Sequence, residues 1–247
     1  MDKVEKCRSL IDQALAASRI TLRNLQSLIG TLNFACAVIS PGRPFLRKLI
    51  NLTININCPY YYIRLTADTK KDLMIWKQFL HAFNGKSLVL YREPILATSL
   101  HLYTDAAQSI GFGATFGTHW IQGKWPPSWK ELHISVLEFY PILVSATIWA
   151  HLIKNHTIIF HSDNMAVVQV INSKTSKCPF LLHLLRQLVL ISLQYNINFR
   201  AMHVPGIQNT VADALSRFQE MPHHLALQLD QLPATIPDHL QPTTFNW

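Results

Sequence analysis

The chain has 247 residues, of which 49% are hydrophobic and 15% charged, a balance typical of a globular protein and not of a disordered one. No uninterrupted apolar run approaches the roughly 18 residues that cross a membrane, and the charged start MDKVEKCRSLIDQ lacks the apolar core of a secretory signal. The cysteines are scattered without a CxxC spacing, which argues against a zinc site or a disulfide framework. We therefore expect a protein of the nucleus or cytoplasm that is not secreted and has no membrane partner.

The net charge of +8 is unevenly distributed along the chain. Residues 1–96 carry 14 Lys/Arg and 6 Asp/Glu, residues 97–220 carry 8 and 6, and residues 221–247 carry none and 2. A basic first part suits a surface that follows a phosphate backbone. Ordinary solvated helix faces would explain the same excess equally well.

The first 96 residues are predicted to form a mainly helical domain. Residues 1–50 carry apolar residues at three- and four-residue steps, Thr21 is a candidate helix cap, and Pro41–Gly42 interrupt the pattern. Residues 66–84 predict a further amphipathic helix whose apolar face belongs to the core. Arg43, Arg47 and Lys48 lie close together after the break and are candidates for binding a nucleic-acid backbone.

The pattern changes near residue 97. Strands are predicted at 99–104, in a Gly-rich hairpin, at 118–122, at 157–162 and in INFRAMHV, with helices at about 137–151, from 163 or 164, at 180–194 and from about 209. The order β-β-β-α-β-α-α-β-α predicts a mixed α/β domain over residues 97–220. Residues 221–247 contain several prolines and are predicted to form an irregular tail.

Four carboxylates occupy unusual positions in the second part. Asp105 is predicted to end the first strand, Glu138 to open an apolar helix, Asp163 to follow the central strand and Asp213 to lie on the last helix. No Lys or Arg lies in the stretches LYTDAA, VLEFYP or FHSDNMA, and a charge beside a core is costly unless it is paired or bound to a metal. Converging carboxylates could hold two hard divalent cations such as Mg²⁺.

Each carboxylate by itself also has an ordinary structural explanation. Ser135-x-x-Glu138 fits a capping box, and Asp163 could cap the helix after its strand. Asp105 could begin a turn, and Asp213 could interact with a helix dipole. Pro141 follows Glu138 by three residues, so we expect the helix of Glu138 to start late or to kink.

Several stretches together resemble a known family. LYTDAAQSIGFGA, LEFYPILVSA, IIFHSDNMAVVQVIN and HVPGIQNTVADALSR resemble the ribonuclease H domain of retroelement reverse transcriptases, in particular the DIRS-like and gypsy-like groups. LQSLIGTLNFACAVISPGRPFLRKL resembles the thumb and connection region that precedes it in those polymerases. The resemblance implies a ribonuclease H-like mixed sheet with flanking helices over about residues 97–218, preceded by a smaller, mainly helical domain.

The family resemblance implies a function and a site. It implies an endonuclease that cuts the RNA strand of RNA–DNA hybrids, with Asp105, Glu138, Asp163 and Asp213 as catalytic ligands of two Mg²⁺ ions, for which Mn²⁺ could substitute. The alanines on either side of Asp213 are interpreted as room for a phosphate and a metal. Many relatives carry an accessory histidine before the last helix. His203, ten residues before Asp213, is the candidate here, with an ordinary strand-end histidine as the alternative.

Other residues are candidates for supporting roles. Asn164 could order Asp163 or contact the substrate. Lys124 and Lys130 lie among the tryptophans of THWIQGKWPPSWK and could contact the hybrid. For at least two of those tryptophans, packing over the sheet is the favoured alternative.

The resemblance leaves more than one overall function open. No YxDD-like polymerase motif is present, so the missing polymerase domains are a possible partner. A catalytically inactive ribonuclease H-like module that binds nucleic acid or protein is the alternative function. An integrase-like enzyme would share the sheet, but the terminal ADALSR helix argues against it.

Overall fold

The computed structural model describes residues 3–83, 95–96, 98–219, 223–245 and 247. The chain divides into two compact units. The first comprises Met1–Arg92 and Lys174–Ser176, and the second comprises Glu93–Ser173 and Lys177–Trp247. Residues 97 and 220, at the domain boundaries predicted from the sequence, lie outside the described residues, as does residue 84 at the end of the predicted helix 66–84.

The first unit is mainly helical and contains one short strand pair. Thr21 accepts a hydrogen bond from the backbone N–H of Asn24 and so caps the second helix, as the sequence predicts. Leu25, Leu28 and Leu32 lie on the buried face of that helix. In chain order the elements are α1 (Lys3–Ala16), β1 (Arg19–Thr21), α2 (Leu22–Ala35), a 3₁₀ helix (Ser40–Phe45), α3 (Arg47–Asn51), β2 (Tyr62–Arg64) and α4 (Ala67–Ala82).

The second unit is built on a five-stranded mixed sheet of order β5-β4-β3-β6-β7. The strands are β3 (Ser99–Ala107), β4 (Gly111–Phe116), β5 (His119–Lys124), β6 (Thr157–Ser162) and β7 (Asn198–His203). β3, β4 and β5 pair antiparallel, whereas β3, β6 and β7 pair parallel. The predicted fold class, a mixed α/β sheet with flanking helices preceded by a mainly helical part, is confirmed.

Helices cover both faces of this sheet. The helices of the second unit in the described part of the chain are α5 (Ile134–Ile148), α6 (Met165–Ser173), α7 (Pro179–Gln194), α8 (Thr210–Arg217) and the short α9 (His223–Ala226). Phe112 of β4 packs against Tyr140 of α5, while a Cβ added to the neighbouring Gly113 would meet Leu215 of α8. Because successive strand residues point to opposite faces, α5 and α8 lie on opposite faces of the sheet.

The helix that carries Glu138 does not start late, so that part of the expectation is wrong, and the alternative of a kink at Pro141 stays a prediction. α5 begins at Ile134, three residues before the predicted start, and Pro141 lies inside it. His133 caps the helix, because its Nδ1 accepts a hydrogen bond from the backbone N–H of Ser135. Glu138 therefore lies in the second turn of a continuous helix.

Residues of the tail contact β5 and α5 of the second unit. The Trp120 indole donates a hydrogen bond to the carbonyl of Asp230, and the Ala234 N–H donates to the carbonyl of Trp120. The hydroxyl of Tyr140 donates to the Leu240 carbonyl, and Phe245 packs edge-on against the Tyr140 ring. No helix in the described part of the chain is long and apolar enough to cross a membrane.

Candidate metal centre

Three carboxylates from three different elements meet at one end of the sheet. Asp105 lies in β3, Glu138 in α5, and Asp163 directly follows β6. One oxygen from each lies within 4.8 Å of the other two. β3 and β6 are parallel neighbours, and Tyr103 pairs with His161. Asp105 lies two residues after Tyr103, and Asp163 lies two residues after His161. Parallel pairing therefore brings two residues 58 positions apart to the same end of the sheet.

The cluster is largely buried and its charges are poorly compensated. Asp105 and Glu138 are each 4% exposed, whereas Asp163 is exposed. The Oε2 atom of Glu138 is buried and has no hydrogen-bond partner among the described residues. Burial is the main reason why the pKa of Glu138 rises to about 9, and repulsion by Asp105 and Asp163 raises it further.

Asp105 is also protonated more readily than an ordinary aspartate. Burial raises its pKa to about 6, a hydrogen bond from Ser216 acts in the opposite direction, and the charges of Asp163 and Asp213 raise it. A cation bound between the carboxylates would reverse these shifts, because it favours the ionised form of each ligand.

The ordinary explanations for Asp163 and Glu138 do not hold in the structure. Asn164 caps α6, since its Oδ1 accepts hydrogen bonds from the backbone N–H groups of Ala166 and Val167 at 3.1 and 3.2 Å. Ser135 and Glu138 form no capping box, because His133 caps α5 and the Ser135 hydroxyl donates to Asn164. The structure therefore shows Asn164 as the N-terminal cap of α6, and Asp163 remains available to a ligand.

Asp105 also departs from its predicted position. It does not end its strand: β3 continues to Ala107, and Asp105 pairs with Gly113 of β4. The alternative of an aspartate that begins a turn is therefore wrong. A nearly buried carboxylate inside a strand needs a partner, and Ser216 supplies one hydrogen bond at 2.5 Å.

Asp213 is near the cluster but outside the group of three. Its Oδ1 accepts a hydrogen bond from Nε of Arg217 at 2.8 Å, and the two side chains are 39% and 44% exposed. Its charge nevertheless raises the pKa of Asp105 and of Glu138. The structure thus brings three of the four predicted ligands together and places the fourth in an ion pair beside them.

The alanines around Asp213 are buried, and their interpretation as room for a phosphate and a metal stays a prediction. Ala212 is 1% exposed and Ala214 is 9% exposed. A Cβ on Gly113 would lie 2.8 Å from the Ala212 carbonyl oxygen and 2.4 Å from the Leu215 Cβ. The absence of a side chain at Gly113 lets α8 lie closely against β4, beside Asp105.

Two buried polar residues that hold α8 were missed from the sequence. Ser216 is fully buried and donates to Asp105. Asn209 is 2% exposed, and its Nδ2 donates to the Thr104 carbonyl at 2.8 Å. Helical spacing could have identified Ser216, because it lies four residues after the buried Ala212 and so shares its face. No local pattern predicts that Asn209 would reach a strand more than 100 residues earlier.

A loop beside Asp163 follows the candidate accessory histidine. His203 is exposed, ends β7 and pairs with Ser162, the residue before Asp163. A Cβ added to Gly206, three residues later, would lie 3.3 Å from Oδ2 of Asp163. The start of this loop therefore lies along the exposed carboxylate.

The predicted nucleic-acid contacts of the second unit include two exposed lysines. Nζ of Lys124 lies 5.2 Å from the centre of the Phe218 ring at the end of α8, and Lys130 is exposed. Trp125 and Trp129 are 4% and 5% exposed, so these two tryptophans pack in the core as the alternative predicts.

The first unit holds the other predicted basic residues. Arg43 is exposed, Nε of Arg47 donates to Asn51, and Lys48 forms an ion pair with Asp68 at 3.1 Å.

Known proteins resemble this chain only distantly. No protein-family model matches it, and no curated protein sequence matches it. The ribonuclease H1 of the halophilic archaeon Halobacterium salinarum is 15% identical over 48% of this chain and 94% of its own, with a TM-score of 0.38. The N-terminal ribonuclease H domain of a Mycobacterium tuberculosis protein is 18% identical over 49% of this chain and 98% of its own, with a TM-score of 0.37.

A longer viral protein matches more of the chain. A foamy viral protease–reverse transcriptase in complex with double-stranded DNA is 14% identical over 87% of this chain and 37% of its own, with a TM-score of 0.32. At these identities and TM-scores the similarities assign no residue role and no activity. They do not distinguish the DIRS-like from the gypsy-like group, so that finer resemblance stays a prediction.

Proposed function

We propose that the second unit is a metal-dependent endonuclease that cleaves the RNA strand of RNA–DNA hybrids, as part or derivative of a retroelement reverse transcriptase. The observation that carries this proposal is the convergence of Asp105, Glu138 and Asp163 within 4.8 Å. Three carboxylates at this separation repel one another, and two of them are buried. Such a cluster is costly unless a cation compensates it. The substrate class comes from the sequence resemblance.

The residues fit a hard divalent cation such as Mg²⁺. All three groups offer carboxylate oxygens, the ligand type that Mg²⁺ prefers, and the buried Oε2 of Glu138 has no hydrogen-bond partner among the described residues. Asp105, Glu138 and Asp163 would hold the ion. Asp213, which is close enough to act on the other charges, would support a second ion. Bound divalent cations supply a Lewis acid for the phosphate and lower the pKa of water.

The protein's own side chains divide the remaining tasks. Asp105 and Glu138 are buried, and Ser216 donates a hydrogen bond to Asp105, so the two carboxylates provide a rigid base for the site. Asp163 is exposed and faces the side from which a phosphodiester can approach. The exposed Lys124 and Lys130 would contact phosphates of the bound hybrid.

Cleavage of a labelled RNA–DNA hybrid by the full chain in Mg²⁺ tests the proposal. Asp163→Asn keeps the shape of the side chain and removes its charge, and we expect at least about a hundredfold loss of RNA cleavage, because a metal contact contributes several kcal/mol. Glu131→Gln, which removes an exposed acid in the same unit, is the matched control and should cleave like the wild type. Equal cleavage by the Asp163→Asn protein would overturn the proposed metal centre.

One observation favours a module that binds nucleic acid without cleaving it. Arg217 already pairs with Asp213, which reduces the four predicted ligands to three. Binding of the hybrid without cleavage in either Mg²⁺ or Mn²⁺ would support this alternative. Cleavage that appears only after polymerase domains are added would identify those domains as the required partner.

A further inference from the structure

A second surface with the properties of a binding site lies on the strand pair of the first unit. β1 and β2 are antiparallel, with Arg19 opposite Arg64, Ile20 opposite Ile63, and Thr21 opposite Tyr62. Ile63 is 5% exposed and belongs to the core. Because side chains alternate along a strand, Tyr62 and Arg64 on either side of it point outward. The outer face of this pair therefore presents two arginines directly opposite each other.

These arginines are not neutralised. Like charges directly opposite each other destabilise a strand pair. Arg19, Arg64 and the nearby Arg23 are exposed, and none of them forms an ion pair or a side-chain hydrogen bond within the described part of the chain. The Arg23 N–H donates to the Pro59 carbonyl, which places the start of α2 beside the segment that leads into β2.

Three consecutive tyrosines extend this basic surface. Tyr60, Tyr61 and Tyr62 are 71%, 57% and 63% exposed. None of the three rings packs against another aromatic ring or a cation among the described residues. The Leu22 N–H donates to the Tyr61 carbonyl, so the segment is tied to α2 although its side chains point into solvent. Exposed aromatic clusters of this kind indicate a binding surface.

We propose that this tyrosine–arginine surface, formed by Arg19, Arg23, Tyr60, Tyr61, Tyr62 and Arg64, binds single-stranded nucleic acid. The arginine guanidinium groups would bind backbone phosphates, and the tyrosine rings would stack on unpaired bases. This site goes beyond the proposed nuclease: it lies in the other unit, uses no carboxylate and needs no metal. It would hold a single-stranded segment whether or not the chain cleaves a hybrid.

The chemistry of the surface favours this occupant over others. In a duplex the bases are already stacked on one another, so exposed tyrosine rings would find no free base face. A membrane-binding surface needs an apolar face that enters the lipid, but the isoleucines of this strand pair lie on the side of the buried Ile63, opposite the arginines. The unneutralised arginines complement phosphate charge, and the rings beside them complement bases.

Fluorescence anisotropy with the full chain tests the proposal. The probes are labelled oligo(dT) and oligo(U) of about 12 nucleotides, within the size range of known single-strand sites, in EDTA so that no metal-dependent step contributes. Tyr60→Ser combined with Tyr61→Ser should weaken binding of both probes by about tenfold or more. Arg19→Ala combined with Arg64→Ala should weaken binding and reduce the slope of log Kd against log salt by about 1.4, for two lost phosphate contacts.

Matched controls distinguish binding at this surface from general attraction by positive charge and from binding by any exposed aromatic side chain. Lys71→Ala combined with Lys77→Ala removes two charges from α4 of the same unit, and Phe34→Ser removes a side chain from a residue that is 62% exposed. Both should bind within about twofold of the wild type, because neither residue set belongs to the surface. Because the assay is run in EDTA, it contains no metal-dependent step, so a failed nuclease would not disguise a failed single-strand site.

Three results would overturn the proposal. The first is that the tyrosine variants bind the oligonucleotides like the wild type. The second is that the lysine control loses as much affinity as the arginine variant, which would show non-specific charge attraction. The third is that the variants lose binding to a blunt duplex or to anionic phospholipid vesicles but still bind the single-stranded probes, which would assign the surface to that other partner.

Discussion

Ser216 donates a hydrogen bond to Oδ2 of Asp105 across 2.5 Å, and this bond joins α8 to β3, the central strand of the sheet. Both residues are almost completely buried. The bond lowers the pKa of Asp105 while burial raises it to about 6, so Ser216 favours the ionised form that a metal requires. Ser216 is therefore a positioning residue for the proposed metal centre.

Ser216→Ala should weaken metal binding more at low pH than at high pH. Without the hydrogen bond the pKa of Asp105 rises further, and protons compete better with Mg²⁺ near pH 6 than near pH 8. We expect a stability loss of about 1 kcal/mol and a higher Mg²⁺ concentration for half-maximal cleavage at pH 6. Magnesium titrations at both pH values measure the effect, with the exposed Ser128→Ala as control. An equal change at both pH values would contradict this role for Ser216.

Glu138 should make the metal-free protein less stable as the pH rises. Its pKa is raised from 4.5 in an ordinary glutamate to about 9 in the fold, so the folded state binds the proton more tightly than the unfolded state. The stabilising contribution of the proton is fully present below about pH 4.5 and is lost progressively as the pH approaches 9. Asp105 contributes in the same direction at lower pH.

Thermal unfolding of Glu138→Gln in EDTA isolates this contribution. The variant should unfold at a higher temperature than the wild type at pH 9, and the difference should shrink toward pH 5. Addition of Mg²⁺ should raise the unfolding temperature of the wild type at high pH, because the cation binds the folded, ionised cluster. Glu131→Gln should show neither effect, and a constant difference at all pH values would rule out titration of Glu138 as its cause.

Asp213→Asn should reduce cleavage less than Asp163→Asn does. Asp213 lies outside the group of three carboxylates, and its charge is paired with the exposed Arg217. We expect a loss of about tenfold or less for Asp213→Asn, compared with about a hundredfold or more for Asp163→Asn. Cleavage rates at saturating Mg²⁺ measure both. Equal losses would show that Asp213 binds metal as directly as the other three.

Arg217→Ala tests the ion pair itself. Because both side chains are substantially exposed, its loss should change the free energy of unfolding by less than about 1 kcal/mol. Chemical denaturation measures this change, and a much larger loss would show that the pair holds α8 in place.

Gly113→Ala should disrupt the packing of α8 against β4. The added methyl group would lie 2.4 Å from Leu215 Cβ and 2.9 Å from the Ser216 nitrogen, so the helix would have to move away from Asp105. We expect a loss of about 1–3 kcal/mol in stability together with weaker cleavage. Gly30→Ala is the control: it lies inside α2 with no atom near the added methyl, and should stabilise by about 0.5–1 kcal/mol. Denaturation curves compare the two, and unchanged stability for Gly113→Ala would mean that α8 can shift freely.

Particular elements show which parts of the fold could be predicted. The strand at 157–162 was predicted at its observed bounds, and the helix at 180–194 within one residue, because both have strong apolar patterns of characteristic length. The start of α5 was missed, since His133 is an unusual cap and Pro141 suggested an interruption. The end of β3 was missed because a charged residue in mid-strand becomes tolerable only when α8 supplies Ser216.

The sequence by itself determined the types and the order of the elements from β3 to α8 and the four candidate carboxylates, because periodicity and isolated charges are local properties of the chain. Only the tertiary structure decided which carboxylates meet: parallel pairing of β3 with β6 joins Asp105 to Asp163, and α5 adds Glu138. It also placed α8 against β4, where a side chain at Gly113 would meet Leu215. These outcomes depend on contacts between residues far apart in the chain, and no local pattern encodes the distance between them.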